Sequence, residues 1–299
     1  MGGMPKEVRE ELDRQLAHPS VAILAAFGER IGQLAVLDEP WCTANVSRIF
    51  SAGVDGRDPA WETYLRYGHL DLRTFQLLRS RYGVAVAAIG VAETNLARRI
   101  AVHLASLYWY GQIDFDDEDG LLDNFFAGAP ASISGRALEH LGRWLHDETP
   151  PTSEVLARLK LLWGKRFKVG RPEELEAFGW WFSSGRFEDE WALGQLRAVL
   201  AAKVLPRPAE KAAERLAALV PHHLRAALTM LDLLLQANDQ GWGLHGWRGP
   251  AKAILAAGIA SSNEADRHLA AQIANRLCSP EYSYSEFRSL LRTDIARVR

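Results

Sequence analysis

The sequence has few cysteines, no long apolar run and no alternating β-branched stretches, and these absences argue against several common kinds of protein. Only two cysteines occur, Cys42 and Cys278, far apart and in unrelated contexts, so neither a disulfide framework nor a metal-binding knuckle is indicated. No apolar run approaches the ~18 residues of a membrane span, and the charged start of the chain lacks the apolar core of a signal peptide. Alternating stretches of β-branched residues are also missing. We therefore expect a cytoplasmic protein without a sheet.

Neither sign of charge is in large excess. The chain has 35 Lys and Arg against 37 Asp and Glu, a formal net charge of −2. The protein as a whole is therefore not attracted to nucleic acid or to an anionic membrane, although a local basic patch stays open. A hydrophobic content of 48% and a charged content of 24% are ordinary for a globular protein.

Helical periodicity runs through most of the chain. In residues 152–167, for example, apolar side chains recur with the spacing of one helix face, after a threonine or serine (Thr152 or Ser153) suited to cap the helix. Similar stripes occupy residues 221–239 and 261–277, the second with Ser261 and Glu264 at capping-box spacing. These patterns predict an all-α protein.

A short motif of aromatic or small residue, glycine, polar, apolar and acidic residue occurs three times, around Gly68, Gly111 and Gly185. A glycine in the left-handed conformation ends a helix without strain, and an acid shortly afterwards suits the start of the next helix. The spacing of these turns matches the ~40-residue period of HEAT- or armadillo-like helical pairs. We therefore predict an α-solenoid, a single repeat domain over residues 1–299 with a soft boundary near residue 150.

Signatures of catalysis and of cofactor or metal binding are missing from the sequence. The GxGxxG pattern at 241–246 follows a predicted helix where a nucleotide-binding fingerprint needs a strand. His222 and His223 are expected on different faces of a helix. The acidic run 114–120 fails the calcium-loop pattern and is better explained as a loop before a helix starting near Leu121. We expect no cofactor, no metal and no enzymatic activity.

The glycine-rich loop at residues 241–249 crowds two tryptophans, a histidine and an arginine together: Trp242, His245, Trp247 and Arg248. The tryptophans either cover the end of the array or form a contact surface. Because flanking glycines offer little cover and aromatics beside arginine are typical of interface anchors, these four residues are our candidate binding site, with both indoles partly exposed.

The densest basic stretch lies at residues 158–171. Its phosphate-contact candidates are Lys160, Lys165, Arg166, Lys168 and Arg171. The alternative is that these cations face water and stabilise the C-terminal end of a helix.

Three segments, residues 49–82, 174–200 and 251–291, resemble the C-terminal α-helical region of large bacterial STAND-like ATPases and related multidomain anti-phage defence proteins. In that family an effector and a nucleotide-binding module precede a helical array that senses a trigger. The resemblance implies a sensor or scaffold segment, and it carries over no catalytic residue.

Two hypotheses of function follow. The first is a non-enzymatic module that binds a protein partner in bacterial defence or signalling, since helical arrays form extended binding surfaces. The alternative is a helical-repeat protein that binds nucleic acid through the basic stretch, including a DNA-processing enzyme. A small-molecule enzyme ranks last. The partner, and any continuation of the natural polypeptide beyond residue 1, are outside what the sequence predicts.

Overall fold

The computed structural model describes residues 3–51, 58–91, 94–238, 246–278, 284 and 287–289. These residues form α-helices joined by turns and short loops, and none of them belongs to a β-strand. The prediction of an all-α protein is therefore confirmed. Helix lengths range from 4 to 29 residues, and the regular helical pairs of a solenoid stay a prediction.

The chain divides into two compact units, Met1–Ala137 and Leu138–Arg299. The division falls inside the helix over residues 131–144, and the soft boundary near residue 150 stays a prediction. The helices that begin in the first unit are α1 (Lys6–Ala17), α2 (Val21–Ile49), α3 (Pro59–Tyr67), α4 (Leu72–Ala87), α5 (Thr94–Trp109), α6 (Leu121–Gly128) and α7 (Ala131–Trp144).

The core of the first unit is aromatic and contains a short polar chain. Tyr64 and Tyr82 are fully buried, and their hydroxyl oxygens lie 3.0 Å apart. The Tyr82 hydroxyl also lies 2.7 Å from Nδ1 of His103, so each buried phenol has a polar partner. Burial raises the pKa of both phenols. The α2 and α3 backbones approach closely at Gly28, where a Cβ atom would lie 2.0 Å from the Ala60 carbonyl oxygen.

The helices of the second unit follow α7 in close succession. They are α8 (Ser153–Val169), α9 (Pro172–Leu175), α10 (Phe178–Ser183), α11 (Asp189–Ala201), α12 (Ala209–Ala237), α13 (Arg248–Ala260) and α14 (Glu264–Leu277).

Tryptophans form the centre of the second unit. Trp163 and Trp181 are fully buried, and their ring centroids lie 5.5 Å apart. Each indole N–H donates a hydrogen bond, from Trp163 to Oε1 of Gln195 at 3.0 Å and from Trp181 to the Leu138 carbonyl at 2.9 Å. These bonds satisfy the one polar group of each tryptophan, whose ring is otherwise a large apolar surface.

The three glycine turns differ from one another. Gly111 and Gly185 have φ of 72° and 65°, the left-handed conformation that the motif predicts. Gly68 has φ of −65°, so the prediction is wrong there. Glycine is favoured at that position for space, because a Cβ atom would lie 2.4 Å from Cδ2 of Tyr64. The acid of the first motif, Asp71, caps α4 by accepting a 2.8 Å bond from the Thr74 N–H.

Candidate functional site

The structure describes only residues 246–249 of the proposed binding loop, and the tryptophan among them, Trp247, is not at the surface. Trp242 and His245 lie outside the described residues. Trp247, at the start of α13, is fully buried, so the expectation that it is partly exposed is wrong. The glycines next to Trp247 in sequence offer little cover, but α13 packs against α12 and α14, which cover the indole instead. The guanidinium carbon of Arg248 lies 4.6 Å from the ring centroid of Tyr284.

The central residue of the basic stretch is inside the protein. Arg166 is buried and donates from Nε and Nη2 to the two carboxylate oxygens of Glu174, at 2.8 and 2.9 Å. Glu174 is itself fully buried, and Nη1 of Arg171 lies 3.7 Å from its Oε1. Leaving a buried carboxylate unpaired is costly, so Arg166 is a structural residue and not a phosphate contact.

Lys160 also has an acidic partner within the second unit. Its ammonium donates to Glu188, and this hydrogen bond lowers the pKa of the glutamate. The same ammonium lies 5.3 Å from the ring centroid of Trp191. With Lys160, Arg166 and Arg171 directed at carboxylates of the protein itself, the five-residue phosphate footprint is not assembled.

What remains of the basic stretch is an exposed face of α8. We call the α8 face the set of exposed positions Ala157, Leu161, Gly164, Lys165 and Lys168. On a helix with 3.6 residues per turn these positions fall in a stripe about 100° wide. Leu161 is 67% exposed, and a Cβ atom on Gly164 would meet nothing within 4 Å. The α8 face therefore combines an apolar side chain, small residues and two lysines, and the exposed Glu154 lies in line with it at the N-terminal end of the helix.

A second feature is a cleft of about 540 Å³ beside α11 and the middle of α12. Four of its lining residues are basic: Arg197 from α11, and His222, His223 and Arg225 from α12. His222 and His223, adjacent in sequence, both line this cleft.

The cause is a kink in α12. Pro221 lies inside the helix, and His223 has non-helical torsions of φ −134° and ψ 37°. A proline within a helix removes one backbone hydrogen bond and its ring displaces the preceding turn, so the helix bends. The sequence signal for the cleft is this proline, followed at once by two histidines, at the start of the predicted stripe over residues 221–239.

Two carboxylates orient two of the four basic side chains. Nε2 of His223 lies 3.5 Å from Oδ2 of Asp189. Arg225 donates from Nη1 to the Ala265 carbonyl at 2.7 Å and to Oδ1 of Asp266 at 3.2 Å. Arg197 is exposed and makes neither a hydrogen bond nor an ion pair with any residue in the part of the chain that the structure describes.

The fold and these surfaces together define an all-helical protein with an exposed, partly cationic helix face and a basic cleft. Within the described ranges, no helix is long and apolar enough to cross a bilayer, and no group of three or more His, Cys, Asp or Glu side chains is placed to hold a metal ion. No protein-family model matches the chain, and neither the curated proteins nor the solved structures include one that is similar to it.

Proposed function

We propose that the protein is a non-enzymatic helical module that binds a protein partner through the α8 face. The observation that carries this proposal is the exposure of Leu161, at 67%, on a helix whose opposite side is fully buried through Leu159, Leu162 and Trp163. A single exposed leucine is ordinary. Here it lies in one stripe with two small residues and two lysines, which is the composition of a helix-docking surface.

The chemistry of the α8 face selects an acidic, amphipathic helix as the partner segment. The small side chains of Ala157 and Gly164, on either side of Leu161 along the helix, allow a second helix to approach closely. Lys168 lies toward the C-terminal end of the stripe, where its charge would attract carboxylates and fix the register of the partner. Arg166, in the same helix, is neutralised internally by Glu174, so it adds no charge to the surface of α8.

The biological setting that we propose is a sensor or scaffold in bacterial defence or signalling. Support for it comes from the resemblance of residues 49–82, 174–200 and 251–291 to the helical regions of STAND-like ATPases. In such a setting, partner binding by a helical module would convey the presence of a trigger to a separate effector.

The proposal is tested with Leu161→Glu. We expect wild-type protein to bind a labelled acidic amphipathic peptide, with leucines at helical i, i+4 and i+7 positions, in fluorescence anisotropy. Leu161→Glu should weaken this binding by at least about tenfold, since a buried interface anchor contributes on the order of 2 kcal/mol. Val84→Glu, an equivalent change at a valine 60% exposed in the other unit, is the matched control and should leave binding unchanged.

The charge of the probe separates partner classes. A peptide of the same pattern with lysine in place of each glutamate should bind poorly. Equal binding of the acidic peptide by wild type and Leu161→Glu would overturn the proposal. So would preferential binding of bare duplex DNA with a steep loss of affinity in salt, because only phosphate contacts release condensed counterions in that manner.

A further inference from the structure

We propose that the basic cleft at the α12 kink binds a phosphate-bearing small molecule of about mononucleotide size. This site lies on α11 and α12 and is independent of the α8 face, so it adds a ligand to the proposed partner-binding function. Four basic side chains from two helices meet there: Arg197, His222, His223 and Arg225. Basic side chains that only face solvent are spread along the outer face of a helix, whereas these four line one cleft.

The cleft offers an anion more hydrogen-bond donors than the protein itself uses. Arg197 presents a guanidinium without a partner among the described residues, and its planar fork matches two oxygens of a phosphate. The imidazoles of His222 and His223 each carry at least one N–H in either protonation state. Asp266 is the carboxylate that neutralises Arg225, and Asp189 is the one nearest His223.

Arg225 is held in place before a ligand arrives, and His223 lies beside an ordered carboxylate. Arg225 is fixed by the Ala265 carbonyl and by Asp266, and the Asp189 carboxylate near His223 is held in turn by Nη2 of Arg215 at 2.7 Å. A group that is already ordered loses less conformational entropy when it binds. The residues at the kink thus form a partly preorganised half of the site, and the exposed guanidinium of Arg197 completes it.

The remainder of the lining suits the organic part of such a molecule. Leu193, Leu224 and Met230 give the cleft an apolar portion, against which a planar ring can pack. The Thr229 hydroxyl donates to the Arg225 carbonyl at 2.9 Å, which leaves its oxygen as an acceptor for a sugar hydroxyl. A volume of about 540 Å³ lies within the range of small-molecule sites, roughly 300–1,000 Å³.

Calorimetric titration with adenosine 5′-monophosphate, adenosine and inorganic phosphate tests the proposal. We expect the monophosphate to bind more tightly than either of its parts. Arg197→Ala should weaken its affinity by about tenfold or more, the usual effect of losing a charge-assisted hydrogen bond. Arg197→Lys should retain part of the affinity, because it keeps the charge and loses the fork.

Lys252→Ala is the matched control, since it removes one exposed positive charge from α13, outside the cleft lining. It should leave affinity unchanged. Arg197 has no partner to lose within the described ranges, so the melting temperature of Arg197→Ala should equal that of wild type. The proposal is overturned if the monophosphate does not bind up to about 10 mM, if adenosine binds equally well, or if the two alanine variants lose affinity alike. These outcomes leave the peptide binding of the α8 face unaffected.

Discussion

Burial of Trp247 affects stability in two ways, through its apolar ring and through its polar indole N–H. Its ring is fully buried, and its indole N–H has no hydrogen-bond partner among the residues that the structure describes. Trp247→Ala should lower the free energy of unfolding by about 3–5 kcal/mol, because a large core side chain leaves a cavity. Trp247→Phe should cost much less, since it also removes an unsatisfied donor. Urea unfolding measures both, and a near-neutral alanine variant would return Trp247 to the class of exposed interface residues.

The ion pair between Arg79 and the acidic loop makes stability depend on pH. Nε of Arg79 donates to Oδ2 of Asp119 at 2.6 Å, and this hydrogen bond lowers the pKa of the carboxyl group. A carboxylate whose pKa is lower in the folded state contributes stability above its unfolded pKa, and this is lost as pH falls through the folded value. Wild type should therefore exceed Asp119→Asn in free energy of unfolding at neutral pH.

This difference should shrink as the pH of urea unfolding experiments is lowered from 7 toward the acid side of the unfolded aspartate pKa, roughly 4. Asparagine retains an oxygen that can accept the 3.2 Å bond from the Leu121 N–H, so the start of α6 is preserved. A difference that stays constant with pH would show that the ion pair has no part in it.

At the scale of the helix, the N-terminus of α8 distinguishes two neighbouring candidates. Thr152 is the N-cap, and its hydroxyl accepts a bond from the Val155 N–H at 3.3 Å, while Ser153 is the first helical residue. Thr152→Ala should therefore lower the free energy of unfolding by about 1 kcal/mol. Ser153→Ala is the control, and thermal or urea unfolding should show it to be near neutral. Equal losses in the two variants would contradict this cap assignment.

The start of α14 and the two long helices show where patterns along the chain mislead. Asn263 caps α14, and the predicted capping box with Ser261 is displaced by two residues. Helices α2 and α12 each bend beside an internal proline, with Asp38 and His223 outside helical torsions. At Asp38 the carboxylate accepts the Trp41 N–H at 3.1 Å, which restarts the helix after the break. A hydrophobic stripe reports the buried side of a helix and is insensitive to such bends.

For the whole molecule, the expected spectroscopic result is simple. Far-UV circular dichroism should give a helix content far above the ~30–35% of an average globular protein and a strand content well below ~20–25%. The physical reason is that all fourteen elements of the described residues are helices. A strand content near the globular average would contradict the fold.

The sequence alone determined the helical class, the position of α8 and the start of α6 at Leu121, because periodicity and capping depend on residues a few positions apart. It did not determine which cations reach the surface. Glu174, which pairs with Arg166, comes from a separate helix, and Glu188, which pairs with Lys160, is 28 residues away. Likewise, the burial of Trp247 and the basic cleft depend on which helices pack together, and that is a property of the tertiary structure.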